Sequence, residues 1–398
     1  MTMKIKVAAA APEILPGQPG SNIRNVLDAV TQARADSAAL LVLPLGLPED
    51  IDREELESRA GAMTVYPLTR APLSREELSY HHDMDVLCCS VDTPATAMSR
   101  YENENLAGLS SHENMAVVVM ACPRGGDGNQ IYTGQCVIAQ NGAVLASEDG
   151  YVICQVNIPS RDVKAPTEGI VDGQSTTPWT PLPEMLPRIL RLQGDALFRR
   201  MMMEGSTQLS VTVERDASSL LALAACVQAV DRLKISRKNI HAVVNGQRAT
   251  QIAARLGVTI GEGRGGLAVD ATDLTARAID GAVPAHYAVN ASIPRSVAHL
   301  VMRHFANTCG DRDLSAPIRS ILTNDNEKPW VLYDFLLHFS MVYDLPKWGQ
   351  ARLLEDTFSR QFKGEVIHEV LDRFFESYRR PPSCDGPIVF PTDLKNAT

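Results

Sequence analysis

Adjacent histidines, His81–His82, precede adjacent cysteines, Cys88–Cys89, and together they are a candidate base and nucleophile. A thiol attacks at neutral pH only when a cation, a histidine or a helix N-terminus stabilises its thiolate and substrate can reach it. The cysteines lie inside the apolar run DVLCCS, which reads as a strand rather than an exposed elbow, so buried thiols are expected there. His81 and His82 are expected in a solvent-exposed loop. The run Gly261–Gly266 (GEGRGG) has the spacing of a dinucleotide-binding turn. The text after it reads as a strand, whereas that chemistry needs a helix whose N-terminus meets the phosphates. The eight cysteines form no CxxC pair and no His/Cys cluster with zinc spacing, so no structural metal is expected.

The elements that would position such groups alternate between periods. Residues 4–10 and 38–44 read as strands around a helix over 22–35, whose apolar positions include Ile23, Val26, Leu27, Val30 and Ala33. Strands are expected again at Asp85–Ser90 and Met115–Cys122, with a helix across 96–112 between them. From Tyr132–Ala139 the pattern becomes short strands, with Asn141–Gly142 as a hairpin turn before Ala143–Ser147 and Tyr151–Ile158. Buried strands with helices and a hairpin-rich edge suit a layered α/β sandwich. Residues 160–183 are rich in Pro, Gly, Ser and Thr and mark a boundary.

Beyond it a helix is expected over 184–204, then a strand at Gln208–Val213 and a helix at Ser218–Leu233. Ile240–Val244 (strand), Gln247–Leu256 (helix) and Gly266–Val269 (strand) continue a parallel α/β pattern. Four helices, at Ile293–Ala306, Val331–Tyr343, Ala351–Phe362 and Val366–Tyr378, form a helical C-terminal tail. Three segments follow: residues 1–160, a linker and connecting helix over 161–205, and residues 206–398.

A chain of 398 residues with 45% hydrophobic and 21% charged residues is ordinary for a globular protein of two domains. Its net charge of -9 argues against a phosphate-backbone binder, so nucleic acid is not an expected partner. No run approaches the roughly 20 apolar residues that span a bilayer, and no signal-like segment opens the chain, so no membrane partner and a cytoplasmic location are expected.

Several phrases carry a family resemblance when taken in order: KIKVAAAAPEI, ADSAALLVLP, IYTGQCVIAQNGAVLASED, TPWTPLPEMLPRILRLQGDAL, YAVNASIPRSV, YDFLLHF and DRFFESYRRPPSCDGP. The set resembles glutamine-dependent NAD synthetase, in which a nitrilase-type glutaminase domain precedes an ATP-pyrophosphatase-type synthetase domain. The resemblance implies an α/β protein made of a truncated nitrilase-like sandwich and a Rossmann-like parallel domain. It also implies that internal segments of the family are missing here.

What the resemblance implies for chemistry is loss. The glutaminase needs a carboxylate base after the proline that ends the second strand, and here Pro44 is followed by Leu45. No site matches its lysine or its cysteine nucleophile. In the synthetase half a glycine-rich Ser-Gly-Gly-x-Asp-Ser turn lets main-chain amides approach ATP phosphates. Aligning LSVTVERDASSLLALAACV puts Glu214, Arg215 and Asp216 at the Ser-Gly-Gly positions and Ser218 at the Asp position, with Ser219 alone retained. Glu214 and Asp216 would then face incoming phosphates, and Ser218 is read as a helix N-cap.

In GLAVDATDLTARAIDG, Asp273 is retained while Ala276 stands where the glutamate that helps hold magnesium is expected. Tyr287, Asn290 and Arg295 are either relics of a nucleotide pocket or structural hydrogen bonders, the second reading being preferred. Arg379 and Arg380 match basic positions of the family's tail that approach substrate. ATP and Mg would be cofactors only if the synthetase site still works. The expectation is a non-catalytic paralogue acting as a homo-oligomer, or as a hetero-oligomer with an active NAD synthetase; the alternatives are an ammonia-using NAD synthetase and a nucleotide-sensing protein.

Overall fold

A computed structural model describes residues 3–48, 50–68, 84–92, 94–114, 116–158, 185–262, 265–325, 329–341, 347–359 and 361–390. His81–His82 and the Pro/Gly-rich stretch 160–183 lie outside them. The chain forms two compact units, one of residues 1–126 with 131–174 and one of residues 127–130 with 175–398.

The first unit follows from strands whose side chains alternate between two buried faces. Strand β1 (Met3–Ala10) pairs antiparallel with β10 (Tyr151–Ile158) and parallel with β2 (Leu40–Leu43), which pairs with β3 (Thr64–Pro67). A second sheet has the order β4 (Val86–Cys89), β5 (Val117–Ala121), β8 (Gln135–Gln140), β9 (Ala143–Asp149). Val7, Ala9 and Val42 of the first sheet pack with Val117, Val119, Cys136 and Ile138 of the second. One residue on, Ala8, Ala10, Leu41 and Leu43 face Val26, Val30 and Ala33 of helix α1 (Pro19–Ala35), as a period of two requires. Leu87, Cys89, Val118 and Met120 pack on Ala107 of helix α3 (Ser99–Glu113). The layering is helix, sheet, sheet, helix, the sandwich expected from the pattern.

Two short strands, β6 (Arg124–Gly126) and β7 (Ile131–Thr133), pair with each other, so the stretch read as one strand over Tyr132–Ala139 is two strands parting at Gly134. Asn141 and Gly142 have φ of 52° and 84°, the left-handed values that a two-residue turn between twisted strands needs. The short helix α2 (Arg53–Ala60) is held by the Asp52 side chain, which accepts from Glu54 N.

The second unit is built on a five-stranded parallel sheet in the order β13 (Thr259–Ile260), β12 (Ile240–Val244), β11 (Leu209–Val213), β14 (Leu267–Asp270), β15 (Tyr287–Ala288). After β11 the chain passes through helix α5 (Ala217–Arg232) to β12 on one side, while β14 joins β11 on the other. The crevice at the carboxyl ends of β11 and β14 is thus a topological switch point, where open α/β sheets bind ligands. Helix α4 (Leu186–Glu204) packs along α5, and α6 (Gln247–Leu256) follows β12. Beyond β14 come the six-residue helix α7 (Leu274–Ile279) and then α8 (Arg295–Thr308), α9 (Arg312–Asp325), α10 (Trp330–Met341), α11 (Lys347–Phe358) and α12 (Gly364–Ser377). Helix α9 was not expected; its internal Pro317 reads as a breaker. Among the described residues no helix is long and apolar enough to cross a membrane.

The glycine run 261–266 has a packing reason at its end. Gly266 has φ of +92°, and a Cβ there would stand 2.5 Å from the Gln208 carbonyl oxygen, where β14 enters beside β11. Gly266→Ala is expected to cost about 2 kcal/mol or more, read by urea denaturation, because backbone cannot yield as a flexible side chain does. A change below about 0.5 kcal/mol would remove this reason for the glycine.

Candidate functional site

The bend between β11 and α5 holds the residues singled out at the phosphate-turn positions. Asp216 has extended backbone and its side chain accepts from Ser219 N at 2.8 Å, which makes it the N-cap of α5. This corrects the expectation for Ser218. A cap sits just outside the first turn with non-helical dihedrals, and Ser218 already lies within that turn. The Ser218 hydroxyl instead donates to Asp273 Oδ2 at 2.7 Å. The Ser219 hydroxyl accepts from Glu214 N at 3.0 Å and donates to Asp216 O at 3.2 Å. Two amides of the bend that an anion would use, those of Glu214 and Ser219, are therefore satisfied by protein oxygens.

Around the bend the side chains are anchored. Asn245 Nδ2 donates to Glu214 Oε2 at 2.8 Å, and the Arg215 guanidinium runs beside Gly246, where a Cβ would meet its Nε at 2.6 Å. Arg215 thus lies against the β12–α6 connection.

Facing the bend, Asp273 is 1% exposed and caps α7 by accepting from Ala276 N at 2.8 Å. Its other oxygen takes the Ser218 hydroxyl and Arg295 Nε, the latter at 2.8 Å. The Arg295 guanidinium also lies 4.4 Å from the centroid of the Trp330 ring, a cation–π contact. Behind this pair Thr275 Oγ1 accepts from Arg295 N at 2.9 Å and donates to the buried Asp334 Oδ1 at 2.6 Å, while Ser296 N donates to Asp334 Oδ2 at 2.7 Å. Burial pushes the Asp334 carboxyl up to about 6, against these hydrogen bonds, and the Asp273 charge adds to the rise.

Asn290 is fully buried and structural. Its Nδ2 donates to Ser218 O at 2.7 Å and Ala271 O at 3.0 Å, and its Oδ1 accepts from Gln193 Nε2 at 2.6 Å. Tyr287 is buried too, its hydroxyl donating to the Gly128 carbonyl with Arg200 5.6 Å from its ring centroid.

A pocket of about 330 Å³ opens at the switch point, lined by Glu214, Asp216, Ser218, Ser219, Asp273 and Arg295 among others. Of the other residues singled out in the sequence, Arg215, Tyr287, Asn290, Arg379 and Arg380 do not line it. Arg379 is exposed, its Nη1 donating to the Tyr378 carbonyl at 2.7 Å, and Arg380 Nη2 donates to the Met341 carbonyl at 3.3 Å. Sequence reasoning passed over Asp270, Thr272 and His286, which do line the pocket. Asp270 could have been found as the acidic end of the apolar strand GLAVD.

Four carboxylates, Glu214, Asp216, Asp270 and Asp273, meet one guanidinium in this lining, and Ala276 presents a methyl group. Two like unit charges about 5 Å apart repel by roughly 3 kcal/mol at an effective dielectric near 20, and by less at the exposed Glu214. The carboxylates at the base of the pocket already hold protein donors: Asp270 accepts from Thr272 N at 2.8 Å and Ala285 N at 3.0 Å, and Asp273 is paired as above. Among the described residues no group of three or more His, Cys, Asp or Glu is placed to hold a metal ion. This donor set does not suit a magnesium triphosphate.

In the first unit Leu45 follows the buried Pro44 at the end of β2 and offers no group that can carry a proton. Burial raises the Cys88 thiol to about 11 and the Cys89 thiol further, so both are protonated at neutral pH. They lie within β4, as their apolar setting predicts.

The sandwich and the parallel sheet, in this order along one chain, match the fold of glutamine-dependent NAD synthetases. The glutamine-dependent NAD(+) synthetase from Cytophaga hutchinsonii matches 97% of this chain and 95% of its own with a TM-score of 0.65 at 11% identity. The enzyme of that name from Acinetobacter baumannii, solved in complex with ADP, matches 96% of each chain with a TM-score of 0.59 at 14% identity. At such identity the likeness is one of fold. Neither protein-family models nor curated proteins give a match to this sequence.

Proposed function

We propose that this protein is a non-catalytic relative of glutamine-dependent NAD synthetase that acts as a structural or regulatory subunit, by self-association or by association with an active synthetase. The observation that carries this reading is the bend over Glu214–Ser219: the amides of Glu214 and Ser219 are taken by protein oxygens, and the carboxylates of Glu214 and Asp216 line a pocket already holding Asp270 and Asp273. A site meant to gather a triphosphate and a pyrophosphate leaving group needs donors and cations there. The full-length fold is kept around it, which fits a role carried by surfaces.

Incubated with ATP, magnesium, nicotinate adenine dinucleotide and either ammonia or glutamine, the purified protein is expected to release no nucleotide-dependent AMP. Measurable release would establish instead an ammonia-using NAD synthetase with a remodelled phosphate turn. Affinity purification of the full chain is expected to recover either a second copy or an active synthetase, and recovery of neither would sink the subunit role.

A second reading, nucleotide sensing without turnover, has one observation in its favour: the pocket persists at the switch point with a volume of about 330 Å³. Calorimetry with NAD, ATP and nicotinate adenine dinucleotide separates the two readings, since a subunit of the proposed kind binds none of them saturably.

A further inference from the structure

Arg277, in the last turn of α7, is 8% exposed. Its Nη1 donates to the Ala291 carbonyl at 2.8 Å and its Nη2 to the Pro382 carbonyl. Among the described residues no carboxylate stands within ion-pair distance of it. A guanidinium has five N–H donors and cannot shed its proton, so burial without a counter-charge is costly even when carbonyls take some of the donors.

Arg277 lines a cavity of about 250 Å³ together with Arg380, Ser292, Ser383 and Cys384, and no Asp or Glu is among its lining residues. The contrast with the acidic pocket is sharp because both cavities flank α7. Asp273 and Ala276 line the first, Leu274 and Arg277 the second. The far wall is the C-terminal segment Pro381–Ile388, fixed by Ser292, whose hydroxyl donates to Pro387 O at 2.9 Å and accepts from Val389 N at 2.7 Å. At about 250 Å³ the cavity holds roughly eight waters' share of liquid volume, room for a small hydrated anion and too little for a dinucleotide.

We propose that this cavity binds a small oxyanion, a phosphate or a carboxylate group, between the guanidinium groups of Arg277 and Arg380. A guanidinium presents paired donors that match either group, and no carboxylate is among the residues that line the cavity. The occupant would tie the C-terminal segment to α7 and complete the charge balance of Arg277.

The test is calorimetric titration of the full chain with inorganic phosphate and, separately, with succinate, at ionic strength held constant with sodium chloride. Saturable binding of at least one is expected, and whichever binds tighter identifies the anion class. Ser383→Glu places a carboxylate on the exposed rim of the cavity and is expected to weaken that binding roughly 30-fold or more while the thermal unfolding midpoint is kept. Arg277→Gln is expected to weaken it as much; if that variant does not fold, Ser383→Glu decides alone. Saturation by neither anion, or binding by Ser383→Glu equal to that of the unaltered chain, would overturn the proposal.

Discussion

Asp273→Ala is expected to lower the unfolding free energy by about 2 kcal/mol or more, because it removes the hydrogen-bonded counter-charge of a largely buried guanidinium together with a helix cap. Asp273 is 1% exposed, caps α7 and pairs with Arg295, whose side chain is 20% exposed. Its removal leaves Arg295 with the Trp330 ring and the more distant charges of Asp280 and Asp216, and leaves the Ala276 amide and the Ser218 hydroxyl without their acceptor. Loss of the cap alone accounts for about 1 kcal/mol. Urea denaturation followed by tryptophan fluorescence reads the effect, Trp330 being adjacent. Adding Arg295→Met to Asp273→Ala is expected to recover at least about 1 kcal/mol, since the guanidinium that has lost its paired carboxylate goes with it. A single-variant loss below about 1 kcal/mol, or no recovery in the double variant, would show that the pair is solvated and carries little.

Asp334 is expected to contribute a loss of stability as pH rises from about 4 to about 6. Burial raises its carboxyl from the ordinary 3.8 to about 6 in the folded chain, with the nearby Asp273 charge contributing. Between those values the folded state holds a proton that the unfolded state has released. The contribution is therefore complete below the unfolded value and is lost as pH climbs through the folded one. A shift from 3.8 to about 6 corresponds to roughly 3 kcal/mol. Asp334→Asn keeps the acceptor for Thr275 and removes the titration, so the stability of the variant relative to the unaltered chain is expected to rise as pH climbs through this window. An unchanged pH slope in Asp334→Asn would assign the effect elsewhere. The burial of His338, which holds its imidazole down at about 4, adds an opposite contribution: this ring is more readily protonated when unfolded, which favours the folded state as pH rises from 4 to 6.5. Comparing the two chains isolates the Asp334 part.

Much of the architecture could be read from periodicity. Tyr151–Ile158, Ile240–Val244 and Gln247–Leu256 have the bounds that alternation or an i, i+3, i+4 stripe predicts, and Asn141–Gly142 makes the turn that its dipeptide specifies. What escaped had weak patterns. Helix α2 (REELESRA) buries little beyond Ala60, so it shows no apolar stripe, and α9 carries Pro317. At the site the strand–bend–helix over 209–232 was legible, but the partners within it were not. Ser218 and Asp216 both have capping side chains, and only the backbone angle at Asp216 decides between them. The Asp273–Arg295 pair and the Ser218–Asp273 hydrogen bond span 22 and 55 residues. No local pattern encodes such contacts; they come from β11 and β14 lying side by side.

Helix α4 also bears on where the second unit can be cut from its gene. Gln193 feeds the buried Asn290, Asp195 holds Arg232, and Phe198 lies under that same guanidinium. A recombinant fragment opening at residue 206 would strip the apolar flank of α5 bare and remove these contacts. A fragment that keeps this packing must begin upstream of Leu186, since the connecting helix Leu186–Glu204 is part of the fold's interior.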